Sequence, residues 1–196
     1  MTIRGGFLLL MAFLVFFDTG GLLPCIVAAA LVHEAGHWAA LRLAGGRVER
    51  WELSLRGVTM RQPAWPALSY GREILAALAG PAANLACAFA VALWAGRAKD
   101  AGLYTWAGVS LFQGSFNLLP ARGQDGGHVL HLLLCWRWRA AAADRVVNVL
   151  TGLCAAATAA VGLWVYGTAA AGRDITVLAA AAYAALSLLA PLKTSD

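Results

Sequence analysis

Charge is what this chain has least of. Only 13% of its 196 residues are Asp, Glu, Lys or Arg, against 61% that are hydrophobic. A soluble domain carries about 25% charged and about 45–50% apolar residues, so too few polar groups are present to cover a water-soluble surface of this size. Disorder is excluded by the same numbers, because it needs low hydrophobicity and high charge. Cysteine is scarce too. Cys25, Cys87, Cys135 and Cys154 lie scattered in apolar segments with no CxxC spacing. Neither a disulfide framework nor a cysteine zinc knuckle is expected, and the four read as small packing residues. No hydrophilic stretch is long enough for a separate soluble domain, and no internal repeat is visible. What remains is an all-α polytopic membrane protein forming a single integral-membrane domain over residues 1–196. The net charge of +5 does not indicate a nucleic-acid partner, since the basic residues punctuate apolar runs instead of clustering. The lipid bilayer is the expected surrounding.

A helix needs about 20 apolar residues to cross a bilayer. Six spans are predicted, over residues 5–21, 22–44, 74–95, 103–136, 146–171 and 175–192. The first follows Arg4 and resembles a signal sequence, but no small-x-small cleavage site follows it, so it reads as an uncleaved span. The fourth is too long for one crossing and is interrupted at Pro120-Ala121-Arg122-Gly123-Gln124, which predicts a broken helix. The polar segment 45–71 includes partial period-2 alternation over 48–61 with a Gly near its middle, closed by Pro63 and Pro66. That pattern predicts a small β-hairpin at the membrane face. Six spans would place Arg4, the six arginines from Arg42 to Arg72, Arg137, Arg139, Arg145 and Lys193 on one side. Arg97, Lys99 and Arg173 fall on the other. The positive-inside rule puts both termini and the hairpin in the cytoplasm of a multi-pass cell-membrane protein. The excess of Arg over Lys with abundant Ala and Gly points to a prokaryotic source.

Ionisable residues inside membrane spans are costly, about 2–3 kcal/mol or more each, and are usually functional. The second span contains His33-Glu34-Ala35-Gly36-His37, an H-E-x-x-H pattern. Positions i and i+4 share one helix face, so both imidazoles can reach one metal ion. Glu34, beside the first ligand, can take a proton from the attacking water as general base. A catalytic zinc usually has three protein ligands and one open position. Asp125, just after the break in the fourth span, leads the candidates for the third, because irregular backbone at membrane depth is tolerated only when buried or lining a wet cavity.

Depth gives an independent check. His33 is nine residues from Arg42, Asp125 is twelve from Arg137, and Asn84 is twelve from Arg72. At 1.5 Å per residue these polar groups sit about 13–18 Å below the cytoplasmic surface. One shared buried site requires such a common level.

Three motifs in order carry a resemblance: H-E-x-x-H at His33 to His37, G-P-x-x-N at Gly80-Pro81-Ala82-Ala83-Asn84, and N-x-x-P followed by D-G-G between Asn117 and Gly127. The chain resembles the site-2 protease family of intramembrane zinc metalloproteases over about 22–134. It is loosely similar to the branch of the stage IV sporulation protein FB, as a minimal core without a PDZ or CBS module. The resemblance implies one catalytic zinc ion held by His33, His37 and Asp125, Glu34 as general base, and a site reached from the cytosol. The catalytic core is expected over about 22–136, with 5–21, 146–171 and 175–192 as accessory spans. The chain differs from the family pattern in Arg122-Gly123-Gln124 before D-G-G and in His128 after it.

Two asparagines and a glycine–proline pair complete the expected site. Asn117 can donate to the oxyanion of a tetrahedral intermediate. Asn84 can do the same, or tie its helix to the broken fourth span. Gly80 and Pro81 are structural or substrate-binding. His128 and His131 are either additional ligands or packing histidines. The expected activity is hydrolysis of peptide bonds in or near transmembrane segments, with a membrane protein as substrate and partner. A membrane metal transporter or a non-cutting, protease-like scaffold would use the same His and Asp residues. Against a transporter stand a single ligand cluster and the absence of repeated halves.

Overall fold

The computed structural model describes residues 2–3, 15–16, 18, 20–46, 48, 50–54, 57–61, 68–168 and 175–189. The chain divides into two compact units, Met1–Asn117 and Leu118–Asp196.

In the first unit, helix α1 (Leu22–Leu43) begins where Asp18 accepts hydrogen bonds from the backbone N–H groups of Leu22 (2.8 Å) and Leu23 (3.0 Å). Those two donors have no partner inside the helix, so the carboxylate acts as a cap. The helix ends at Ala44, with Gly45 at φ 84° turning the chain away. The Arg72 guanidinium donates to the Ala44 carbonyl at 3.1 Å, placing a cation at the negative end of the helix. Helix α2 (Tyr70–Ala98) carries Glu73 in its first turn and Pro81 in its interior. Pro81 has no N–H, so one rung of the ladder is missing there. The helix stops at Lys99 (φ 54°), and Asp100 Oδ1 then accepts from Gly102 N (2.7 Å) and Leu103 N (3.2 Å) to open α3 (Ala101–Asn117).

These three helices pack on one another through small residues. A Cβ on Gly36 would come within 2.8 Å of Ala83 Cβ, and one on Gly114 within 3.1 Å of both Asn84 Cβ and the Pro81 carbonyl. Apolar chains do not drive helices together in lipid, so close approach at such positions supplies the contact. A three-stranded sheet completes the unit, in the order β1 (Thr2–Ile3), β2 (Arg50–Ser54), β3 (Gly57–Arg61). β1 runs parallel to β2, and β2 pairs antiparallel with β3 in a register that sets Trp51 opposite Met60 and Leu53 opposite Val58 along the backbone. A two-residue strand shows no alternation in the sequence, so β1 is visible only through its pairing.

In the second unit, the segment from Leu118 to Gln124 precedes α4 (Asp125–Arg137), followed by α5 (Ala140–Thr168) and α6 (Ile175–Leu189). Gly123 turns the segment at φ 89°. Arg122 fastens it to α5 twice: its backbone N–H donates to Thr151 Oγ1 at 2.7 Å, and its guanidinium pairs with Asp144 at 2.8 Å. Gly126 and Gly127 let the start of α4 lie against the segment's own backbone, with no space for a side chain facing Leu118 or Ala121. α5 and α6 meet where Gly162 faces Ala181.

Among the described residues three helices, α1, α2 and α5, are long and apolar enough to cross a membrane by length and composition. They support a membrane protein. α3 has 17 residues, α4 has 13 and α6 has 15, below the about 20 a crossing needs. The segment expected as one broken span over 103–136 is two separate helices divided at Leu118–Gln124. Most of the expected first span, 5–21, lies outside the described residues.

Candidate metal centre

His33 and His37 stand one turn apart on α1, and the helix repeat brings their rings together. Their Nε2 atoms are 3.0 Å apart, and the rings meet edge to face with centroids at 4.6 Å. His33 is buried and His37 half-buried. On the far side of the His37 ring, Nδ1 lies 2.8 Å from the Ala76 carbonyl on α2. A carbonyl only accepts, so Nδ1 carries the proton and Nε2 presents its lone pair. A hydrogen bond from the other ring nitrogen to a backbone carbonyl is how a metal-binding imidazole is commonly oriented.

The G-P-x-x-N stretch gains a physical reading from the same packing. A side chain on Gly80 would run into the His37 ring, with its Cβ 2.6 Å from Cε1. Only glycine leaves that ring where it is. Pro81, the next residue, is fully buried. Asn84 has no exposed surface, and its Nδ2 is 3.4 Å from His33 Nδ1. So the two imidazoles of α1 are held from behind by two positions of α2, one through absence of a side chain and one through an amide. Glu34 sits half-buried on α1 beside His33.

In the second unit, Asp125 is the first residue of α4, half-buried, with its Oδ2 atom shut off from solvent. A helix N-terminus favours a carboxylate. A cavity of about 340 Å³ opens beside it, lined by Arg122, Gln124, Asp125, His128, His131 and Asp144 among others. His131 Nε2 is 3.3 Å from Asp144 Oδ1, so His131 shares that carboxylate with Arg122. His128 is exposed. Asn117, the last residue of α3, turns its Nδ2 back to the Gln113 carbonyl at 3.1 Å. The roles of Ala76, Asp144 and Thr151 were absent from the sequence reading. Ala76 contributes through a backbone atom that every residue has. Asp144 leaves a signal only as an acid in an apolar run, to be matched with Arg122.

The donor chemistry fits a zinc ion. Zinc takes imidazole nitrogens at about 2.0–2.1 Å in tetrahedral array, which sets two of them about 3.3 Å apart. The His33–His37 separation of 3.0 Å is close to that.

The backbone as a whole is similar to that of a solved protein, a site-2 protease from Methanocaldococcus jannaschii, with a TM-score of 0.67 over 99% of this chain and 92% of that one. The fold is shared with a site-2 protease. Sequence identity to it is 17%. No family model and no curated protein matches the sequence.

Proposed function

We propose that this protein is an intramembrane zinc metalloendopeptidase that cuts peptide bonds in or near the transmembrane segments of other membrane proteins. The observation that carries the reading is the His33–His37 pair, with Nε2 atoms 3.0 Å apart and the second ring oriented by the Ala76 carbonyl. The shared site-2 protease fold supports it. Asp125 is the third ligand of this proposal, giving two imidazoles and one carboxylate, a donor set that zinc accepts.

When bound, zinc would supply an acidified water and polarise the scissile carbonyl. The Glu34 carboxylate takes the proton from the attacking water and later passes it to the leaving amine. Asn117 keeps a second amide N–H beyond the one used on Gln113, and this is the proposed donor to the developing oxyanion. A substrate helix must unwind to expose its carbonyl. β1 and β3 are the two edges of the sheet among the described residues, β3 being the longer, and an extended substrate segment adds to β3 as a further strand. The cation count of the loops supports a multi-pass arrangement with both termini and the site opening on the cytoplasm.

Co-expression with single-span membrane proteins tests the reading. Wild type should release cleaved fragments, and Glu34→Gln should release none while keeping its zinc. Continued cleavage by Glu34→Gln would contradict the proposed base.

A further inference from the structure

We infer that Thr151 is a positioning residue for Asp125, fastening the segment that carries this carboxylate to α5 through one buried hydrogen bond; this rests on the metal site proposed above.

Asp125 and the residues before it form one locally bonded piece. The Ala121 N–H donates to the Leu119 carbonyl at 2.8 Å, the Gln124 N–H to the Ala121 carbonyl at 3.1 Å, and the His128 N–H to the Gln124 carbonyl at 3.0 Å. Gly126 and Gly127 lie against the backbone of Leu118 and Ala121 so closely that neither position admits a Cβ. Ala121, between them, has no exposed surface. These contacts fix Asp125 relative to Arg122, three residues earlier. They do not fix the piece relative to α5. Part of its surface borders the cavity of about 340 Å³ lined by Arg122, Gly123, Gln124 and Asp125, so close packing on that side does not hold it.

Two ties run from Arg122 to α5, and they are not equal. The ion pair with Asp144 joins two partly exposed groups, and Asp144 also faces His131 at 3.3 Å. Solvent screens such a pair, and two flexible side chains must be ordered to keep it. The Arg122 backbone N–H has no rotamer to lose, and it donates to Thr151 Oγ1 at 2.7 Å. Thr151 is buried. Its own hydroxyl hydrogen is committed to the Val147 carbonyl at 2.6 Å, one turn back on α5. That bond fixes the side chain on its helix and leaves the oxygen's lone pairs for the N–H. A long apolar helix thus carries one fixed acceptor, and the chain is attached to it three residues before Asp125. Valine has the shape of threonine without the acceptor, whereas serine keeps the acceptor. Without the hydroxyl, the Arg122 N–H is stranded where burial demands a partner. The segment must shift to find one, and Asp125 moves with it. A metal ligand tolerates displacements of only about 0.2 Å.

Zinc affinity, measured by chelator competition on the purified full chain well below its melting temperature, tests this. Thr151→Val should bind zinc about tenfold more weakly or worse, in the range that losing an outer partner gives. Thr151→Ser should stay within a few fold of wild type. Thr158→Val makes the same change two turns along α5, where the hydroxyl donates to the Cys154 carbonyl of its own helix at 2.8 Å, and it should bind zinc as wild type does. Thr151→Val binding as tightly as wild type, or Thr158→Val weakening binding as much as Thr151→Val, would overturn the inference and leave the metal site standing. Wild type taking up no zinc would overturn the metal site and this inference with it. Should Thr151→Val not fold, amide hydrogen exchange on wild type decides. Coupling between two sites is reciprocal, so zinc should slow exchange of the Arg122 N–H by about the same tenfold. An Arg122 exchange rate that zinc leaves unchanged would overturn the proposal.

Discussion

His37 is seated against Gly80: the ring occupies the space in which any larger residue at position 80 would place its Cβ. The Ala76 carbonyl, one turn earlier on α2, holds the ring's Nδ1 at 2.8 Å. The α2 backbone thus sets both the position and the tautomer of one proposed zinc ligand without using a polar side chain.

Gly80→Ala should push the His37 ring off the Ala76 carbonyl. The zinc dissociation constant should rise by tenfold or more, in line with the loss of an outer-sphere partner. Chelator competition measures it. Unchanged affinity would show that the ring has room to move.

Gly127→Ala should disturb the start of α4, because a Cβ there collides with the Ala121 backbone. The segment before Asp125 must then shift. The prediction is a fall in melting temperature together with a fall in zinc content, and a loss of one without the other would separate Asp125 from that segment.

Thr151→Val removes the hydroxyl that accepts the Arg122 N–H while itself donating to the Val147 carbonyl at 2.6 Å. Thr151 is buried, so the stranded N–H should cost about 1–3 kcal/mol. Asp144→Asn, by contrast, breaks an ion pair between groups that are 34% and 48% exposed, and solvent screening limits its effect to about 1 kcal/mol or less. Thermal unfolding in detergent should rank valine below asparagine.

The H-E-x-x-H pair was legible in the sequence because a helix repeat is local: spacing alone fixes which two rings meet. Gly80, Pro81 and Asn84 were picked out as a group, but what each does depends on which face of α2 meets α1, and spacing within one helix does not contain that. Arg122 stood out as a departure from a pattern. Its tie to Asp144 and Thr151 joins residues 22 and 29 positions apart, beyond the reach of periodicity. Helix length was readable where apolar runs are unbroken, as in α1, α2 and α5. Over 103–136 the break at Pro120–Gln124 was legible from proline and glycine, but not that the two halves are separate helices of 17 and 13 residues. Asn117 was assigned from its motif, while the bond it makes, to Gln113 one turn back, is the local one its position in α3 offers.

The metal itself offers the most direct test. X-ray absorption at the zinc edge of the purified protein should show one ion per chain with nitrogen and oxygen neighbours at about 2.0–2.2 Å, two of them imidazoles, and no sulfur shell near 2.3 Å. His33→Ala should abolish the signal. A wild-type preparation without zinc, or one whose ion is bound through cysteine sulfur, would contradict the account.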